Sequence, residues 1–364
     1  MLGKPPSASD GSAASAALQR KRGANRRGTK ARRAALGTQK LPWGHKSYQM
    51  CSMTILTSSH SAGLPLHRHV LAVDVCLCTF RRPQVAETLA SLARQDLPPG
   101  VRMRVIVADN DDHPTARDVV ARAAIVHDLS ITYLHAPARN ISVARNACLD
   151  AVRADWLAFI DDDERAAPDW LTQLLTCATA EGADAVFGPS VAIYPPDTPR
   201  WISRNDFLSN HPVRRGGKVE TGHSCNVLIR RDAIPEGLRF RPDLGQSGGE
   251  DTDFFYQLGR SGAHMTICDT AEVTEPAAPH RLRAGWLAER RMAEGRHYAT
   301  SSGRGRVALA TSALAKAALC LAVALPLALH QPTAARWALR GVFHLGVAAG
   351  AIAPHHRRRA YGVT

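Results

Sequence analysis

The 364-residue chain has no G-x-G-x-x-G turn after its first apolar segment and no G-x-x-x-x-G-K-[ST] loop anywhere. Dinucleotide enzymes and P-loop nucleotidases cradle phosphate on one of those turns, so both readings weaken. Phosphates, if bound, must be neutralised by a metal ion and by Arg or Lys side chains. Eight cysteines are present, yet they form no C-x-x-C pair and no disulfide ladder. Cys76 and Cys78 lie two apart in an expected strand, on one face, where they cannot easily bridge each other. That usage points to a reducing compartment and to core packing. Acidic residues are scarce at the start: residues 1–46 hold eleven Lys and Arg against Asp10 alone, which is +10 of the formal net charge of +14. The same stretch lacks both sustained apolar periodicity and the apolar centre of a secretory signal. Residues 1–70 are therefore expected to be a basic segment without a fold of its own. An arginine-rich nucleic-acid arm is one alternative for it, attraction to anionic lipid is another, and translation from Met50 or Met53 is a third. The basic character belongs to this tail, and no specific nucleic-acid partner is expected.

From residue 71 onward apolar runs of four to eight residues alternate with stretches of helical periodicity. Strands are expected at 71–78, 105–108, 131–134, 156–160, 185–191 and 226–230. Helices are expected from about Pro83, and over 114–126, 142–152 (with Val143, Ala147 and Val152 inward) and 168–180. This alternation predicts an α/β fold, a mostly parallel sheet with helices on both faces and right-handed crossovers. In such a sheet ligands bind beyond the carboxyl ends of the strands. Residues 194–210, with several prolines and Trp201, read as a loop over that edge.

The fourth strand ends in "FIDDDE", placing Asp161, Asp162, Asp163 and Glu164 at the expected ligand edge. Like charges this close repel and keep one another protonated unless a cation, or plain exposure to water at a strand end, compensates them. The D-x-D pair Asp161 and Asp163 suits a hard divalent ion, which takes one or two carboxylates and keeps other positions for water and phosphate. Zinc would call for a His and Cys cluster, which is absent there. Glu164 is read as exposed, and Asp162 is left open. About ninety residues later "GGEDTDF" delivers Glu250, Asp251 and Asp253 into a helix start, more acid than capping requires.

These motifs, in order, resemble family 2 glycosyltransferases of the GT-A (Rossmann-like) fold. The resemblance rests on "VCLCTFRRP" (75–83), "IVADND" (106–111), "ISVARNACL" (141–149), "FIDDDE" (159–164), "PDWL" (168–171) and "GGEDTDF" (248–254). It covers about residues 73–299, and its nearest flavour is that of succinoglycan-biosynthesis glucosyltransferases. The resemblance implies an inverting, metal-dependent hexosyl transfer from a UDP-sugar to a lipid-linked oligosaccharide or polysaccharide acceptor. It implies that Thr79, Arg81, Asp109, Arg145, Asp161 and Asp162 line the nucleotide-sugar site. Asp163 with Asp161 would hold Mn²⁺ or Mg²⁺, and Asp251, with Glu250 as its neighbour, would be the general base. The Q-x-x-R-W motif of processive members is missing, so single addition is expected. A metal-dependent nucleotidyltransferase is the alternative enzyme, although "TFRRPQ" lacks that class's glycine-rich loop.

After the expected catalytic domain at 71–300, residues 301–364 change composition. Residues 307–329 and 337–353 are nearly all apolar, with basic flanks at Arg304, Arg306 and residues 355–359. A helical hairpin is expected, either spanning a bilayer or packed on the domain, with Lys316 and Arg340 costly in lipid. The expected location is the cytoplasmic face of a membrane, or the cytoplasm.

Overall fold

The computed structural model describes residues 70–301 and 305–353. The basic N-terminal segment and the closing basic residues 355–359 lie outside these described residues.

In chain order the elements are β1 (Leu71–Thr79), α1 (Val85–Leu92), β2 (Val101–Asp109), α2 (Arg117–Val126), β3 (Ile131–His135) and α3 (Ile141–Ala151). Then come β4 (Trp156–Asp161), β5 (Arg165–Ala166), α4 (Trp170–Glu181), β6 (Ala185–Phe187), β7 (Ser190–Ile193), α5 (Arg200–Ser203) and β8 (Asn226–Arg230). The chain closes with α6 (Glu250–Arg260), β9 (Met265–Ile267), β10 (Val273–Pro276), α7 (Ala284–Ser301), α8 (Arg306–Ala324) and α9 (Gln331–Ile352).

β1 is buried on both faces, and its alternation sorts the core into two layers. Val73, Val75 and Leu77 pack with Leu89 of α1 and Leu171 of α4, while Cys76 and Cys78 pack with Cys148 of α3 and Phe254 of α6. The one charge inside the strand, Asp74, is buried but satisfied by Arg104 at 2.7 Å and by the backbone N–H of Arg153 at 2.7 Å. Asn140 starts α3 by accepting from the N–H groups of Ser142 and Val143.

The main sheet has the strand order β3-β2-β1-β4-β8-β6-β9, and a second sheet runs β5-β10-β7. β1 pairs parallel with both β2 and β4, whereas β8 is antiparallel to its neighbours β4 and β6. The sheet is mixed but mostly parallel, as expected. Strand order reverses between β1 and β4, and the register sets Thr79 opposite Asp109 and Cys78 opposite Asp161. A crevice at the carboxyl ends of these strands is where such a sheet binds ligands.

Three local expectations change. The strand expected over 185–191 is two strands in different sheets, broken at Gly188 and Pro189. A Cβ on Gly188 would lie 2.2 Å from the carbonyl oxygen of Ala271, so the crossing between sheets depends on glycine. On α3 the buried face is Ser142, Ala144, Arg145 and Cys148; of the residues expected inward, Val152 is buried and Ala147 packs half-buried against the core, while Val143 is half-buried and outside it. Residues 194–210 are not a plain surface loop: they contain α5, and Ile202, Phe207 and Leu208 form a core with Leu287 of α7 and Leu339 of α9.

Candidate functional site

The cleft is assembled around Arg145, which α3 projects beneath the strand ends. Its guanidinium is buried, lies 2.5 Å from Glu250 Oε1 and 3.7 Å from Asp161 Oδ1, and sits 5.6 Å from the Phe240 ring centre. Burial opposes its charge, but Glu250, Asp161 and Asp251 overcome that and hold it firmly protonated. One buried cation thus joins the acids of the β4 end to those that open α6.

The four consecutive acids have four different fates. Asp161 keeps 42% of its side chain exposed to the cleft, and its pKa is raised by desolvation and by Asp163 against the pull of Arg145. Asp162 turns inward, and its Oδ1 accepts from Arg82 at 3.1 Å. Burial pushes it up to about 7 despite Arg82. Asp163 pairs with Arg82 and lies 3.6 Å from Arg281. Glu164 corrects the sequence reading: it is 2% exposed, not solvated. It accepts from the backbone N–H of Asp161 at 3.0 Å and from the Ser190 hydroxyl at 2.5 Å. It therefore locks the acidic turn to β7, and burial together with Asp161 raises its pKa well above the ordinary carboxylate range.

The second sheet adds groups that the motifs did not reveal. β10 brings Glu275 beside Asp163, and burial with that neighbouring charge pushes Glu275 up to about 7. Arg281, on the turn after β10, pairs with Glu275 and stacks on Trp286 at 5.8 Å. Together with Arg82, Thr88 and Asp163 these residues line a cavity of about 570 Å³.

Outside that cavity, the N-terminus of α6 presents Glu250 and Asp251, linked to Asp161 through Arg145. Burial works against ionising Asp251, but a half-exposed His223, 3.3 Å away, acting with Arg145 and the Thr252 N–H, lowers the carboxyl to about 2. Glu250 goes the other way, raised by burial although Arg145 opposes this. Adjacent acids in one helical turn thus ionise differently.

The remaining nucleotide-site expectations fall at the β1 and β2 ends. Thr79 is buried beside Asp162. Arg81 adopts a left-handed backbone (φ 53°) and turns to Asp111, 2.8 Å away, while Arg82 takes the cleft carboxylates. Asp109 is fully buried, accepting from the Tyr133 hydroxyl (2.7 Å) and from the N–H groups of Ala116 (2.8 Å) and Asp111 (3.1 Å). With about four acceptor positions on a carboxylate, most of its capacity is used in anchoring the strand end.

The donor set fits a hard divalent ion that needs help from a ligand. All nearby donors are carboxylate oxygens, and burial followed by the charge of Asp163 raises the pKa of both Asp161 and Glu275, although Arg145 and Arg281 oppose this. Yet among the described residues no three His, Cys, Asp or Glu side chains converge as a metal cage. Asp161 and Asp163 could supply two ligands, leaving the rest to phosphate and water.

A model of the glycosyl transferase family 2 matches residues 74–238. The chain is 44% identical over 289 residues to the succinoglycan biosynthesis protein ExoM of Rhizobium meliloti (strain 1021), spanning 77% of this chain and 93% of that protein. It is 26% identical over 242 residues to galactofuranosyltransferase GlfT1 of Mycolicibacterium smegmatis, spanning 59% of this chain and 74% of that one. Among solved structures, mannosyltransferase PcManGT from Pyrobaculum calidifontis, in complex with GDP-Man and Mn²⁺, has a TM-score of 0.56 at 19% identity, covering 78% of this chain and 88% of that chain. The fold is that of a GT-A glycosyltransferase. The chain belongs to glycosyltransferase family 2, which decides against the nucleotidyltransferase alternative.

Proposed function

We propose that this glycosyltransferase transfers a single hexose from a UDP-sugar to a hydroxyl of a lipid-linked oligosaccharide or polysaccharide acceptor, with inversion, at the cytoplasmic face of a membrane or in the cytoplasm. The observation that carries the reading is the divided acid site: Arg145 holds Asp161 and Glu250 to either side of itself, with Asp251 next along α6. The similarity to a succinoglycan biosynthesis protein supports a glycan acceptor.

In this reading Asp163 and Asp161 hold Mn²⁺ or Mg²⁺, and Thr79, Arg81, Asp109, Arg145, Asp161 and Asp162 form the nucleotide-sugar side. When bound, the ion offsets the negative charge gathering on the departing diphosphate. Asp251, held ionised beside His223, would accept the acceptor hydroxyl's proton at neutral pH, whereas Glu250 is committed to Arg145. The acceptor oxygen bonds to the anomeric carbon as the carbon–diphosphate oxygen bond breaks, its electrons leaving with UDP. One displacement inverts the centre, and no second carboxylate nucleophile is needed.

A thermal-shift screen of nucleotide-sugars with and without Mn²⁺ tests the donor and the ion together. Stabilisation by UDP-sugars that requires the metal is the expected result. Equal shifts without metal would sink the metal assignment, and a response confined to GDP-sugars would sink the donor.

A further inference from the structure

α8 has two faces of opposite fate. Leu309, Ala310, Ala313, Ala317 and Cys320 are buried, and the first three pack with Val347, Ala348 and Ala351 of α9. Val307, Leu314, Ala318, Leu321 and Leu325 follow at spacings of seven, four, three and four, which places them along one line of a helix. Most of that line faces away from the protein: Val307 is 79%, Leu314 47% and Leu325 77% exposed, while Leu321 borders α9 at Gly341. Lys316 lies half a turn away from Val307 and Leu325, off the apolar line.

Charge identifies what covers this line. After Glu294 the chain contains no acidic residue, but it carries nine Arg and Lys between Arg296 and Arg359. A second copy would bring the same positive charge to the contact, whereas anionic lipid headgroups would complement it.

Packing decides the orientation. α8 is the one helix among the described residues long and apolar enough to cross a bilayer. However, its inner face is fastened to α9, and α9 is seated on α7 at glycine contacts. A Cβ on Gly346 would lie 2.3 Å from the Met292 carbonyl oxygen, and one on Gly295 2.1 Å from that of Phe343. α7 carries the paired charges Arg290, Arg291 and Glu294, so this stack cannot follow α8 into hydrocarbon.

We propose that α8 docks the protein in the plane of an anionic bilayer, with its Val307 to Leu325 line buried at the headgroup boundary and no segment of α8 crossing. This deepens the lipid-side setting of the proposed function, and its test does not involve sugar transfer.

Flotation of the full chain with vesicles tests it. The wild type should float with phosphatidylcholine vesicles containing phosphatidylglycerol, float poorly with phosphatidylcholine alone, weaken with salt and be released by alkaline carbonate. Val307→Glu with Leu314→Glu should stay at the bottom of the gradient while keeping the wild-type melting curve and UDP response. If that pair melts abnormally, Leu325→Glu, at the end of α8, carries the same test. Retention through carbonate would show crossing and overturn the proposal, as would undiminished flotation of a folded variant. No flotation, with a wild-type dimer split by the same substitutions, would assign the face to a second copy and also overturn it. A protein that floats but ignores UDP-sugars would contradict the donor reading alone.

Discussion

The two acidic segments of the cleft, Asp161–Glu164 at the end of β4 and Glu250–Asp253 at the start of α6, share a composition and differ in ionisation. At β4 the acids crowd one another, and burial raises Asp161, Asp162 and Glu164. At α6 only Glu250 rises, while Asp251 falls to about 2 beside His223. Such pairs, pushed apart by their surroundings, are where acid–base roles are found. The first segment crowds its carboxylates against Arg82, Arg145 and Arg281, and the proposed metal and phosphates belong there; the second sets Asp251 beside His223, where the proposed base belongs.

Substitutions can break this contrast. Asp251→Asn should have the largest effect on turnover, a loss of about 10²–10⁴-fold with UDP binding preserved. Steady-state transfer alongside calorimetric UDP titration checks it, and full activity would remove Asp251 from its role. Arg145→Met should have the largest effect on stability, because it leaves Glu250 and Asp161 without their shared cation. About 3–5 kcal/mol is expected from urea denaturation, as for other broken buried pairs. Glu164→Ala strips the Asp161 N–H and the Ser190 hydroxyl of their acceptor, for about 1–3 kcal/mol. A loss within about 0.5 kcal/mol, typical of a solvated side chain, would restore the exposed reading of Glu164.

The smallest and most diagnostic change is His223→Gln. With its folded pKa lowered from 3.8 to about 2, Asp251 gives stability that is present above 3.8 and lost as pH falls through about 2. His223, raised above 6.5, gives stability that is present below 6.5 and lost as pH rises through its folded value. Removing the imidazole lets the carboxyl pKa climb, so the acid limb of the kcat/KM profile should move to higher pH. An unmoved limb would show that His223 does not set the base.

Sequence reading went furthest where periodicity and order carry the information. Buried parallel strands read as apolar runs, and the ordered motifs located both acidic segments. It faltered where neighbours distant in sequence decide the outcome. Nothing local distinguishes Arg81 from Arg82; a left-handed backbone at Arg81 sends one to Asp111 and the other to Asp162 and Asp163. Glu164 read as exposed because its partner Ser190 sits 26 residues on, across the second sheet. Glu275 and Arg281 belong to no motif and reach the cleft only because β10 pairs with β5 and β7.

The glycine contacts between α7 and α9 bear on how the protein can be cut. Trimming at residue 300 to gain solubility would strip Leu339 from the core it shares with Ile202, Phe207 and Leu287, and would uncover the grooves at Gly295 and Met292. Trp286, on the same helix, stacks on Arg281 of the cleft. Through Leu339, α9 therefore props the helix whose Trp286 steadies Arg281, and a shorter, tidier fragment is expected to melt at a lower temperature.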